Sequence, residues 1–218
     1  MKTEYDKALS IFQQTLDSEL RVSTAINLGL MKLIDKDLIE STSQMVSDEL
    51  GYGKRVWLTS DHHFGHLNII SYSDRPFHGL ADQTDTHVRQ LNKIDPNDLV
   101  VFVGDMILGN YERGVECIRA CNGRKILVAG NHDLTRDGKC RLAREKDLFE
   151  AVIPFLFWGT GLGRMVLVTH YPIVAGVHDT ERTIVNYHGH IHRKTVESTD
   201  WVHYINVGWD QTHGLLCL

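Results

Sequence analysis

The hydrophobic positions of this chain fall into two regimes that meet near residue 54. In the first, Leu9, Phe12, Leu16 and Leu20 recur at helical spacing, and Val22, Ala25 and Ile26 continue the pattern. Residues 37–40 (DLIE) have the form of a capping box ahead of another helix, and Gly51-Tyr52-Gly53 ends the run. Two or three helices are expected over 1–54. Their expected role is to pack on the larger domain, with self-association as the alternative. From Lys54 onward short β-branched runs take over. Residues 55–59, 99–103, 125–129 and 165–169 are apolar almost throughout, as strands buried on both faces are. Val88, Leu91 and Ile94 share one helical face between them, and Val115, Ile118 and Cys121 share another. Residues 183–187, 201–207 and 215–218 read as further strands. The expectation is a layered α/β domain over 55–218 around a mostly central buried sheet, preceded by a helical extension over 1–54.

Composition narrows the class. A length of 218 residues is enough for one sizeable core, and a net charge of −5 argues against a broad cationic surface for nucleic acid. The first ten residues carry both charge signs and no apolar core, and no apolar run approaches the ~20 residues that span a bilayer. None of the four cysteines forms a CxxC pair. Reduced thiols in a cytoplasmic protein are expected, with Cys117 and Cys121 serving as small buried apolar groups on a helix. Thirteen histidines is the abnormal count. Eight of them are His62, His63, His66, His132, His170, His188, His190 and His192, grouped at separated points of the chain. Histidine is the commonest metal ligand and acid–base group, so such grouping suggests one site assembled in space.

Each apolar run leads directly into donor residues. The first runs into Asp61-His62-His63, the second into Asp105, the third into Asn131-His132-Asp133, the fourth into His170, and the run at 183–187 into His190-Ile191-His192. Ligands of open α/β sheets gather beyond the carboxyl ends of strands. A lone histidine after a strand is usually structural, but five such ends in order are not. Asp61 and His63 are two apart, so an extended backbone would point them the same way and His62 the other, and His190 and His192 pair likewise.

The order Asp-x-His, Gly-Asp, Gly-Asn-His-Asp, His and Gly-His-x-His resembles the calcineurin-like metallophosphoesterases. Residues 60–70 (SDHHFGHLNII) and 74–77 (DRPF) are similar to a small bacterial and phage branch of them. The resemblance covers 55 to about 210 and leaves the first fifty residues outside it. It implies a β-sandwich flanked by helices and two divalent ions roughly 3.5–4 Å apart that clamp a phosphoryl group and bind a bridging hydroxide for in-line attack. It implies Asp105 as the bridge, Asp61, His63 and His192 on one ion, and Asn131, His170 and His190 on the other. It also implies His132 as a substrate contact and the acid that protonates the leaving group. Residues 1–54 contribute none of these ligands. Two dications against two carboxylates and a hydroxide leave a net charge of about +1, suited to an anionic ester. Four imidazoles favour a transition metal, manganese foremost, with iron, zinc, nickel and cobalt as alternatives.

Several residues stay open. His66 either lines the pocket, contacting substrate with Asn131 and His132, or caps the adjacent helix. Arg75 reads as a surface turn or structural ion pair more readily than as a phosphate ligand, and His62 and His188 read as supporting groups. Protein-phosphatase members carry Gly-Asp-x-x-Asp-Arg-Gly where this chain has Gly104-Asp-Met-Ile-Leu-Gly-Asn110, so the second Asp and the Arg are missing. A small phosphodiester or nucleotide is therefore the expected substrate rather than a phosphoprotein, with a phosphomonoester as the alternative. A non-catalytic metal-binding scaffold is the rival from another class, disfavoured because every ligand is retained. A processive nuclease is disfavoured by the lack of a basic stripe.

Overall fold

The computed structural model describes residues 3–19, 22–174 and 183–218. Three helices come first: α1 (Glu4–Ser18), α2 (Thr24–Met31) and α3 (Lys36–Gly51). Thr3 opens α1 with a capping box closed by Asp6. Asp35, not Asp37, opens α3, accepting from the Leu38 N–H at 3.1 Å. Asp37 lies inside the first turn instead, where its charge meets the positive end of the helix dipole. Gly53, at φ +71°, turns the chain out of α3 as expected. Leu20 lies outside the described residues.

The first sheet contains β1 (Val56–Thr59), β2 (Leu99–Phe102), β3 (Arg124–Val128) and β4 (Ala151–Ile153), all parallel, with β9 (Leu216–Cys217) antiparallel on the far edge, in the order β4-β3-β2-β1-β9. Strand alternation assigns its faces. Val56, Leu58, Leu99, Val101, Ile126 and Val128 point into one core, while Val100, Phe102 and Leu127 point into another. The second core is closed by α5 (Leu80–Leu91) and α6 (Tyr111–Arg119) through Leu91, Val115 and Ile118. A short helix, α4 (Ile69–Tyr72), precedes them. Ile94 and Cys121 are buried as their spacing predicts but lie just past the ends of these helices. All four cysteines are free thiols.

The second sheet contains β5 (Phe155–Thr160), β6 (Arg164–Thr169), β7 (Thr183–His188) and β8 (Val202–Asn206) in that order. The two sheets form the sandwich that the resemblance implies, where periodicity alone suggests one mostly central sheet. The reason is at Pro154. The apolar stretch 151–158 is not assigned by its periodicity, and the proline splits it into β4 in one sheet and β5 in the other. Proline has no N–H to donate to a ladder, so it marks the point where the chain changes sheets. The two sheets face each other across the first core, which also takes Tyr5, Ala8, Ile11, Phe12 and Leu16 of α1 and Ile39 and Val46 of α3. The Phe12 and Phe155 rings lie 5.0 Å apart. After β8 comes a last short helix, α7 (Trp209–Thr212).

Candidate metal centre

The donor residues sit on the loops that leave the carboxyl ends of β1, β2, β3, β6 and β7. Backbone hydrogen bonds zip these loops together: the Asp61 N–H donates to the Gly104 carbonyl (3.1 Å), the His63 N–H to Asp105 (3.1 Å) and the Gly189 N–H to His170 (3.0 Å). The convergence of Asp61 with His63, and of His190 with His192, does not come from extended strands. All four have positive φ, at +60°, +51°, +68° and +51°, and so does Asp105 at +56°. A left-handed backbone is costly for residues with a Cβ and tends to concentrate at functional sites. Here it turns each chain sharply as it leaves the sheet, so that neighbouring side chains converge. Gly189 has a different task. A Cβ there would collide with the Ser60 hydroxyl and the Asp61 carboxylate, so only glycine admits this close approach.

Two groups of donors result. Ligand atoms of Asp61, His63 and His192 lie within 4.8 Å of one another, and so do those of Asp105, His170 and His190. The Asp105 carboxylate stands between them. Its Oδ1 accepts from the His132 backbone N–H at 2.8 Å. Its Oδ2 lies 3.3 Å from His170 Nε2, 3.8 Å from His63 Nε2 and 4.0 Å from His132 Nε2. Burial alone would raise the Asp105 pKa, but His170, His132 and His63 around it hold it well below the usual carboxylate range. Burial disfavours the imidazolium of His170, yet the same carboxylate keeps its pKa up at about 9. The buried His63 Nε2, His170 Nε2 and Asn131 Oδ1 have no hydrogen-bond partner among the described residues. Orphaned buried donor atoms beside two ionisable carboxylates are the arrangement that bound cations would satisfy, and the residues fit a pair of metal ions.

The supporting contacts are long-range. His170 Nδ1 lies 2.7 Å from the Val103 carbonyl and His192 Nδ1 lies 2.8 Å from Asp210 Oδ2, which leaves Nε2 of each for an ion. Asp210 also takes a bidentate pair from Arg75, Nε to Oδ1 at 2.7 Å and Nη2 to Oδ2 at 2.8 Å. Burial would raise the Asp210 pKa, but the bonds from His192 and Arg75 hold it at about 2. Arg75 is buried, not on a surface turn. It also donates to the carbonyls of Asp61 (2.7 Å) and His62 (3.3 Å), so it braces the first loop rather than reaching for phosphate. Asp210 is not among the donors expected from sequence, although it follows β8 as the others follow their strands, and that signal would have found it. Asp133 does not serve His132. Its carboxylate is taken up by the backbone N–H groups of Gly130, Asp105 and Met106 at 2.8–2.9 Å.

His132 and His66 line a cleft of about 590 Å³ with His63, Asn131, His190 and His192. The His132 side chain is 41% exposed, against 1–2% for His63, His170 and Asp105. Burial, with His132 beside it, lowers the pKa of His66. The rest of the cleft wall is mixed, with Val22, Ile69, Tyr72, Leu108 and Ile191 beside the basic Arg193 and Lys194. Leu108 occupies the place of the absent second Asp. His188 is turned away, with Nδ1 3.0 Å from the Gly189 carbonyl, and burial lowers its pKa to about 4.

A family model described as calcineurin-like phosphoesterase matches residues 54–216. An uncharacterised protein of Methanocaldococcus jannaschii, MJ1445, is 35% identical over 83 residues, 37% of this chain and 47% of that protein, so the chain spans about half the length of this curated relative. The protein of unknown function AQ665 from Aquifex aeolicus shares the fold, with a TM-score of 0.56 and 22% identity over 75% of this chain and 95% of that one. Among the described residues no helix is long and apolar enough to cross a membrane.

Proposed function

We propose that this chain, which belongs to the calcineurin-like phosphoesterase family, hydrolyses small phosphodiesters or nucleotides at a pair of divalent transition-metal ions, manganese foremost. The observation that carries the reading is the Asp105 carboxylate standing between two donor groups, beside a cleft lined by His63, Asn131, His190 and His192 together with His132. Asp61, His63 and His192 would hold one ion, Asn131, His170 and His190 the other, and Asp105 would join them. When bound, such ions polarise a phosphoryl oxygen and lower the pKa of water.

The chain's own residues do the rest. His132 is fixed through its backbone N–H to Asp105, while its ring stays in the open cleft. That placement suits it to hand a proton to the leaving oxygen. His66 and Asn131 stand on the same cleft wall as contacts for the phosphoryl group. Leu108, Ile69 and Tyr72 give the ester's organic part apolar surface. Leucine at 108, where phosphoprotein phosphatases have a carboxylate, leaves His132 with Asp105, 4.0 Å away, but without that second acid, and favours a second ester arm over a dianionic terminal phosphate.

The test compares a nitrophenyl phosphodiester, a nitrophenyl monoester and a phosphopeptide with the manganese-loaded protein. The diester is expected to be cleaved at least as fast as the other two. Clear preference for the phosphopeptide would sink the reading, and preference for the monoester would make the chain a phosphomonoesterase.

A further inference from the structure

We propose that Glu19, supplied by the N-terminal helices, is a positioning residue of the metal centre that holds the His190 imidazole from the side away from the ion. The inference rests on the two-ion reading above. Glu19 caps the carboxyl end of α1, its N–H donating to the carbonyls of Thr15 and Leu16 at 3.1 and 3.3 Å. That end of the helix is anchored from several sides. Phe12 and Leu16 are in the core, and the Thr15 hydroxyl accepts from the Val174 N–H at 3.2 Å, on the segment that also carries His170. The Asn27 amide donates to the Leu16 carbonyl at 3.0 Å. The Glu19 side chain is 11% exposed, and its Oε2 lies 3.6 Å from His190 Nε2. Val22, three residues on, lines the cleft itself.

Glu19 is not one of the three residues, Asp105, His170 and His190, whose ligand atoms lie within 4.8 Å of one another. His192 is bonded to Asp210 at 2.8 Å and His170 lies 2.7 Å from the Val103 carbonyl, while Glu19 stands in ion-pair reach of His190 at the longer distance of 3.6 Å. An oxygen on one ring nitrogen fixes the tautomer and orientation and makes the other nitrogen a better donor. With Nε2 turned to Glu19, Nδ1 would be the nitrogen that serves the ion. What distinguishes this partner is its origin. The family match begins at residue 54, so Glu19 lies outside everything the family supplies. Affinity for the His190-side ion therefore depends on helices that the family domain does not contain.

The experiment uses the full chain, stripped of metal and titrated with manganese alone, followed by calorimetry and by the electron paramagnetic resonance signal that separates single from coupled Mn²⁺. In Glu19→Ala the His190-side ion is expected to bind about 10–100-fold more weakly, with the other ion unchanged, because loss of such a partner typically has that effect. The coupled-pair signal should fall accordingly. His190→Ala marks the result of losing that ion altogether, and Glu19→Gln, which retains a hydrogen-bonding oxygen, should recover part of the affinity. The metal-free melting temperature of Glu19→Ala should match wild type. Wild-type affinity at both ions in Glu19→Ala would overturn the proposal. So would equal weakening of both ions together with a lower metal-free melting temperature, which would mean that Glu19 only supports the fold. A wild-type protein that binds a single manganese ion would instead remove the two-ion reading itself.

Discussion

His62 and His63 are adjacent, both are 1% exposed, and they belong to two different environments. His63 faces oxygen: its Nε2 lies 3.9 Å from Asp61 and 3.8 Å from Asp105. His62 faces rings. It stacks on Phe64 at 5.5 Å and meets His87 at 4.9 Å, and His87 in turn touches Phe77 and Trp209. Neither nitrogen of His87, nor Nδ1 of His62, has a hydrogen-bond partner among the described residues. Burial holds both in the neutral form, His62 with a pKa of about 3 and His87 well below its ordinary value. Burial alone therefore does not make a histidine a ligand. The oxygen-bearing neighbours are what mark His63 as a candidate ligand, because they can share a cation that apolar rings cannot satisfy.

The sharpest way to break this comparison is on the oxygen side. Asp105→Ala removes the carboxylate common to both donor groups, so both manganese ions should weaken and diester hydrolysis should collapse. Retention of two tight ions by calorimetry would show that Asp105 is not the bridge. His132→Ala should leave both ions in place and lower kcat by about 10²–10⁴-fold for an alkyl or ribose leaving group. The loss should shrink for nitrophenolate, which leaves without a proton. An equal deficit for both leaving groups would make His132 a charge-stabilising group rather than an acid.

Asp210→Asn tests a residue that serves both purposes. It withdraws the charge that supports His192 and leaves the buried Arg75 guanidinium without its partner. The expected loss is about 3–5 kcal/mol in urea unfolding, from the broken buried pair, with about 10–100-fold weaker binding of the His192-side ion. Unchanged stability would mean that the bonds from Arg75 to the Asp61 and His62 carbonyls are enough.

The smallest effect belongs to the ring side and is read through pH. The unfolded chain takes up protons on His62 and His87 as pH falls through their ordinary value near 6.5, while the folded chain does not until far lower pH. Their contribution is therefore fully present above pH 6.5 and is lost below it, by about 1.4 kcal/mol per histidine per pH unit. Metal-free His87→Phe should lose less stability between pH 7 and pH 5 than wild type does, by about 2 kcal/mol, while its manganese affinity stays unchanged. A pH slope equal to that of wild type would show that His87 is not buried neutral.

The proposed donors are legible in the amino-acid sequence. Each follows an apolar strand within a few residues, so the spacing that predicts β1, β2, β3, β6 and β7 also marks Asp61, His63, Asp105, Asn131, His170, His190 and His192. The sheet-end placement needs only local information. The local pattern is less successful where the backbone leaves regular geometry. It attributes the pairing of Asp61 with His63 to an extended strand, whereas left-handed turns bring them together.

What the tertiary structure alone decided is the set of partners behind the donors. Arg75 and Asp210 are 135 residues apart, and Glu19 reaches His190 from the other end of the chain. No periodicity encodes such contacts, since an isolated Glu at a helix end or an Arg before a proline is ordinary surface chemistry until folding buries it. The division into two sheets at Pro154 was equally hidden, because one apolar run supplies strands to both. Sequence determined which side chains stand at the ends of the strands. Only packing decided which of the remaining polar groups would be drawn in to hold them, because a buried imidazole takes whichever oxygen the fold brings within reach.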